Sequence, residues 1–222
     1  MKGLEIGTHE RPTQILGEML GSRPLGVLSG PSHAEEIVRG LPVSLALAFD
    51  DLALARRLRD EISHGALRIY VTSDVLGVEI AGALKNVLAI AAGVCDGLEL
   101  GDNAKAALVT RALAEMSRYG VARGAKLETF AGLAGIGDLI TTCYSRHGRN
   151  RAVGERLGRG ETLERILGST TQVAEGVWTA KALFGAQSQQ KGASTRRRSR
   201  SVGKSTRSST AERTRGGASS TS

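Results

Sequence analysis

Apolar residues in the first 72 positions come in short runs separated by turn residues. Thr13–Leu20 carries them at helical spacing, and Leu25–Leu28 is a short strand-like run. Gly30 and Pro31 punctuate Ser29-Gly30-Pro31-Ser32, which predicts a turn into a short helix over Ala34–Arg39. Pro42–Phe49 reads as a strand whose proline comes first, where no ladder donor is needed. Asp50 and Asp51 are placed to cap a helix over Leu52–Ile62, and Leu67–Thr72 is rich in strand formers. Strand alternating with helix is an α/β pattern.

After Thr72 the period becomes helical throughout. Ser73 or Asp74 can cap a long apolar helix reaching Val94, and Asp102 or Asn103 a second over Ala104–Tyr119, with Leu108, Leu113 and Met116 at helical spacing. Leu127–Leu133, Arg149–Leu157 and Leu163–Leu167 predict shorter helices, and no strand is predicted beyond Thr72. The pattern therefore predicts the end of an α/β domain over 1–72 and an all-α domain over 73–184. Val75–Val94 approaches membrane-spanning length, but Glu79, Lys85 and Asn86 interrupt it, so a buried core helix is expected rather than a span.

Composition changes this picture mainly at the C-terminus. Residues 185–222 hold ten Ser, five Thr and five Gly but no Leu, Ile, Met, Phe, Tyr or Trp, which predicts disorder. They also hold nine Lys/Arg against one acid, Glu212, and so carry the whole formal net charge of +8. The remaining 184 residues balance 21 bases against 21 acids, which removes the bulk electrostatic argument for a nucleic-acid partner. Two cysteines, Cys95 and Cys143, make no disulfide framework and lie in no metal-ligand spacing. Their small number is consistent with a reducing compartment. The N-terminal residues have no apolar signal core.

Three clusters carry candidate chemistry. Lys85 lies in Gly82-Ala83-Leu84-Lys85-Asn86, amid Ile80, Leu84, Val87 and Leu88. Desolvation would lower its pKa and make it a usable proton donor or acceptor; a stem that snorkels to the surface is the alternative. The second cluster runs from Gly132 through Gly135-Ile136-Gly137-Asp138 to Thr142, Cys143 and Tyr144, then on to Gly148-Arg149-Asn150. It suits a phosphate and polyol site, since Arg holds phosphate oxygens in a fork and a helix start adds N–H donors, or else a flexible surface loop. Neither G-x-G-x-x-G nor a Walker A loop occurs. The third is Ser29-Gly30-Pro31-Ser32-His33-Ala34, where small residues let a ligand approach the backbone, although taken alone it is better explained by an ordinary strand-to-helix connection. His33 reads as packed or exposed rather than as a ligand, and Cys143 as structural.

Taken together, these strings resemble NAD(P)-dependent sn-glycerol-3-phosphate dehydrogenases of the bacterial type. The likeness runs from Lys2-Gly3-Leu4-Glu5 through the three clusters, Gly101-Asp102-Asn103-Ala104-Lys105 and Val173-Ala174-Glu175-Gly176, and ends near Phe184. The resemblance implies hydride transfer between NAD(P)H and dihydroxyacetone phosphate or glycerol 3-phosphate. It implies Lys85 as general acid/base, and Lys2, Gly30, Ser32, Lys85, Asp138, Thr142, Gly148, Arg149 and Asn150 as substrate contacts. Lys2, Ala34, Arg149, Val173 and Glu175 are implied as cofactor contacts, with no metal. It further implies a cytoplasmic enzyme, a homodimer when full length, that serves glycerophospholipid synthesis and binds neither membrane nor nucleic acid.

The resemblance also sets expectations for the chain ends. Family chains begin with a Rossmann half bearing a Gly-rich loop, so residues 1–72 are expected to be only the trailing part of a dinucleotide domain, with weakened cofactor binding. The helical substrate domain is expected over 73–184. The Ser/Arg-rich tail is expected to be an out-of-frame reading. The other function classes considered are a basic-tailed nucleic-acid-binding protein and a reductase of another 2-oxo compound.

Overall fold

Strand β2 (Val43–Phe49) is the centre of a three-stranded sheet, flanked by β1 (Gly26–Ser29) and β3 (Leu67–Thr72). In this computed structural model, residues 2–170 and 173–183 are described; the tail expected to be disordered lies outside them. β1 runs antiparallel to β2, pairing Gly26 with Phe49 and Ser29 with Ala46. β3 runs parallel to β2, pairing Val43 with Leu67 and Ala48 with Thr72. The parallel pair needs a crossover, and α3 (Leu52–Ile62) supplies it, capped by Asp51, which accepts from the N–H groups of Ala53 and Leu54. Val43, Leu45, Leu47 and Ala48 of β2 are buried. Before the sheet comes α1 (Pro12–Leu20), and between β1 and β2 lies the five-residue α2 (Ala34–Val38).

The helical region is organised around α4 (Val75–Gly97). It is long and apolar enough to cross a membrane, yet most of it is buried inside the fold, as a core helix requires. Asp74 caps α4 by accepting from Gly77 N (2.9 Å), and also from Lys126 N (2.9 Å) and Thr129 Oγ1 (2.5 Å), so one carboxylate ties α4 to α6 (Leu127–Ala131). Between them lies α5 (Gly101–Val121), which starts after Leu100 with no side-chain cap. The expected caps Asp102 and Asn103 are instead inside its first turn, where an acid still complements the helix dipole. Ala48, Val78 and Ala134 form a shared core that fastens the sheet to α4 and to the segment after α6.

That segment corrects the loop alternative for the glycine-rich cluster. Leu133–Gly137 forms a π-helical turn that runs directly into α7 (Asp138–Tyr144). The glycines permit close packing: a Cβ on Gly135 would lie 2.1 Å from the Phe130 carbonyl oxygen. Next come α8 (Arg149–Gly158), α9 (Leu163–Gly168) and a helical stretch over 175–183. α8 packs on α4 through glycines on both helices. A Cβ on Gly154 would meet the Ile90 carbonyl oxygen at 1.9 Å, and one on Gly93 that of Arg151 at 2.0 Å. Among the described residues there is no strand beyond β3.

Candidate active site

Lys85 sits three turns into α4, on its buried face. A buried ammonium needs a partner, and α7 brings two: Lys85 Nζ donates to Asp138 Oδ1 (2.6 Å) and to Thr142 Oγ1 (2.8 Å). Asp138 and Thr142 are one helical turn apart, so they face the same way, and Thr142 Oγ1 donates back to the Asp138 carbonyl at 2.6 Å. The other carboxylate oxygen of Asp138 accepts from Lys2 Nζ at 2.7 Å. Desolvation pulls the Lys85 pKa down from 10.5; Asp138 raises it and Lys2 lowers it, and the result is about 8. The snorkelling alternative is thereby removed: Lys85 is only 6% exposed and its charge is spent on α7.

A polar layer joins this centre to the 175–183 stretch. Asn86 Nδ2 donates to Glu175 Oε2 (3.2 Å) and to the Lys2 carbonyl (3.5 Å), while Lys2 N donates to Glu175 Oε1 (3.4 Å). Gly176 N donates to Asn150 Oδ1 at 3.0 Å. α8 begins at Gly148, which has no side chain to cap it, so its first-turn N–H groups lack a side-chain acceptor. Arg149 is exposed and forms no ion pair among the described residues.

The start of α8 is held in place from behind. Asp96 accepts from Lys105 Nζ at 2.8 Å and from Arg151 Nη1 at 2.5 Å, and Lys105 lies 4.6 Å over the Tyr144 ring. Desolvation pushes the Asp96 carboxyl up, but the two cations outweigh it and hold it below its ordinary range. Cys143 is buried nearby, and desolvation raises its thiol to about 11, so it remains an inert packing group.

These elements enclose a cleft of about 300 Å³. Of the residues expected at the site, Lys2, Ser32, Lys85, Asp138, Thr142, Gly148, Arg149, Asn150 and Glu175 line it. Gly30, Ala34 and Val173 do not. Gly30 is buried at φ 142°, its carbonyl accepting from Ser32 Oγ, while Ala34 and Val173 are exposed. Asn86, Thr141, His33 and His147 also line the cleft without having been assigned roles. Asn86 carried a readable signal, since a buried amide in an apolar helix must find partners. The histidines carried none, because nothing local in the sequence joins position 33 to position 147.

Residues 74–196 match the sequence model described as the NAD-dependent glycerol-3-phosphate dehydrogenase C-terminus. The chain belongs to the NAD-dependent glycerol-3-phosphate dehydrogenase family. Residues 1–55 match the N-terminal model of the same family, and the C-terminal match passes Phe184, where the motif reading ended. Glycerol-3-phosphate dehydrogenase (NAD(P)+) of Thiobacillus denitrificans is 55% identical over 181 residues, 81% of this chain and 55% of that protein. The Desulfovibrio desulfuricans protein of the same name is 55% identical over 184 residues, covering 82% and 55%. The crystal structure of the Coxiella burnetii glycerol-3-phosphate dehydrogenase superposes with a TM-score of 0.80 at 38% identity, covering 86% of this chain and 58% of that one. The chain thus spans about half the length of the dehydrogenases it matches. The architecture, a Rossmann-like part followed by a helical one, is that of the family.

Proposed function

We propose that the cleft binds dihydroxyacetone phosphate or sn-glycerol 3-phosphate and that Lys85 exchanges the proton in their NAD(P)-linked interconversion. The observation that carries this reading is the buried Lys85 ammonium, held by Asp138 and Thr142 at 2.6 and 2.8 Å, with a pKa of about 8. A group with that pKa gives its proton to a carbonyl oxygen during reduction and takes it from a hydroxyl during oxidation, near neutrality. Asp138 keeps the ammonium aimed and offsets part of its desolvation. Lys2 prevents Asp138 from holding the Lys85 proton too tightly. Arg149 and the uncapped start of α8 offer fork and N–H donors for the phosphoryl group. Lys85 and the start of α8 both line the cleft, so a three-carbon phosphate bound there would meet donors for its carbonyl or hydroxyl oxygen and for its phosphoryl group.

The nicotinamide, when bound, supplies or accepts the hydride. The polar groups of the cleft fit it: Lys2 N meets Glu175 Oε1, and Arg149 is unpaired. We assign residues 1–72 to the cofactor side and 73–184 to the substrate side. The family likeness supports placing the whole protein in the cytoplasm, as a homodimer that feeds glycerophospholipid synthesis.

Calorimetry on the 222-residue chain should show glycerol 3-phosphate binding far tighter than glycerol. At saturating NAD(P)H, Lys85→Met should lose about a hundredfold or more in turnover of dihydroxyacetone phosphate with little change in binding. Equal affinity for glycerol and its phosphate would sink the substrate reading. Unchanged turnover in the variant would remove Lys85 from its role.

A further inference from the structure

Two histidines unused by this chemistry flank the α8 end of the cleft. His33 directly precedes α2, and His147 lies in the turn between α7 and α8, next to Gly148 and Arg149. Their rings are 6.1 Å apart, centroid to centroid, with planes tilted by 59°, within the range of edge-to-face contact. His147 is exposed, whereas His33 is half-buried, and its Nε2 is fully shielded without any hydrogen-bond partner. A shielded ring nitrogen without a partner bears its desolvation cost uncompensated, which a structure tolerates where a ligand completes the bond. The surroundings say which ligand. Lys2 and Lys85 already share the Asp138 carboxylate and Glu175 accepts from Lys2 N, which leaves Arg149 unpaired and the α8 N–H groups uncapped, so the free donors of the cleft gather beside His147 and suit a phosphoryl oxygen as the missing partner.

We propose that His33 is a specificity-determining contact for the phosphoryl group, with Nε2–H donating to a phosphoryl oxygen and the exposed His147 ring turning aside to admit it. The proposal rests on the reading of the cleft as a site for a phosphorylated three-carbon substrate. It adds a donor from the start of α2 to those of Arg149 and the α8 start. A site with that donor would reject a neutral polyol, because His33 would stay unpaired.

Imidazole ¹⁵N spectra of the 222-residue chain, titrated separately with inorganic phosphate, glycerol 3-phosphate and glycerol, test this directly. The His33 Nε2 resonance should move saturably with the first two and not with glycerol. His33→Phe should weaken phosphate binding about tenfold, and His33→Gln, which returns an N–H near the Nε2 position, should recover most of it. His147→Ala should move the His33 resonance even without ligand. A His33 resonance that is silent at saturating phosphate, no phosphate binding at all, or unchanged affinity in His33→Phe with a wild-type unfolding midpoint would each overturn the proposal. If His33→Phe does not fold, the wild-type titration and His33→Gln still decide. A His33 resonance that moves with inorganic phosphate while glycerol and glycerol 3-phosphate bind equally would fell the substrate reading and leave the contact standing; tight glycerol 3-phosphate binding with a silent His33 would do the reverse.

Discussion

One carboxylate serves two ammonium groups at the centre of this site. Asp138 accepts from Lys85 at 2.6 Å and from Lys2 at 2.7 Å, and it is itself almost wholly buried. Burial alone would drive Lys85 lower than about 8; Asp138 is the group that raises it. In the role proposed for Lys85, reduction of the carbonyl needs the ammonium and should therefore fade as pH rises through about 8, while oxidation gains over the same range. Asp138→Asn removes the raising charge and should move both limbs to lower pH in a pH–rate profile. It also leaves two cations facing no anion, at a cost of about 3 kcal/mol in chemical unfolding. Stability itself follows from the same shift. The folded lysine releases its proton at about 8 and the unfolded one nearer 10.5, so between these values the unfolded chain holds more protons. Lys85 should thus make the fold more stable as pH rises from about 8 towards 10.5, an increment missing in Lys85→Met. Urea unfolding across that range measures it.

α4 and α8 meet backbone against backbone, and the glycines on both sides set their separation. Any Cβ at Gly93, Gly97 or Gly154 would fall 1.9–2.2 Å from a carbonyl oxygen of the other helix. Gly154→Ala should cost about 2 kcal/mol, because a rigid backbone must give way. Since Arg149 and Asn150 ride on the same helix, KM for dihydroxyacetone phosphate should rise more than kcat falls. Gly168→Ala is the control: nothing lies within 4 Å of its Cβ, so thermal unfolding should stay within about 0.5 kcal/mol of wild type. Equal effects of the two substitutions would argue against the close-contact reading. The hydrophobic period predicted α3, β3 and the run of α4 well, because each is long or strongly alternating. It did not show the π-helical turn and α7, where glycine spacing reads as a loop. Those glycines serve contacts with Phe130 and its neighbours, which only the packed structure reveals.

For the whole molecule, charge is divided sharply along the chain. Residues 1–184 are neutral in sum and 185–222 carry +8. Deleting 185–222 should abolish retention on a polyanion column at low salt while leaving glycerol 3-phosphate binding intact; retained polyanion binding would point to a basic face on the body. The amino-acid sequence by itself determined the class of most elements, the apolar helix that must be buried, and the small set of polar residues that chemistry would need. Periodicity and composition are local properties, and they survive in the unfolded chain. Only the tertiary structure decided that Asp138 and Thr142 meet Lys85 from another helix, that Lys2 and Glu175, 173 positions apart, meet at the same site, and that Gly30, Ala34 and Val173 are not among the residues lining the cleft. It alone placed His33 against His147. Such contacts join residues more than fifty positions apart, and their distances are set by how helices and sheet pack, which no local pattern encodes.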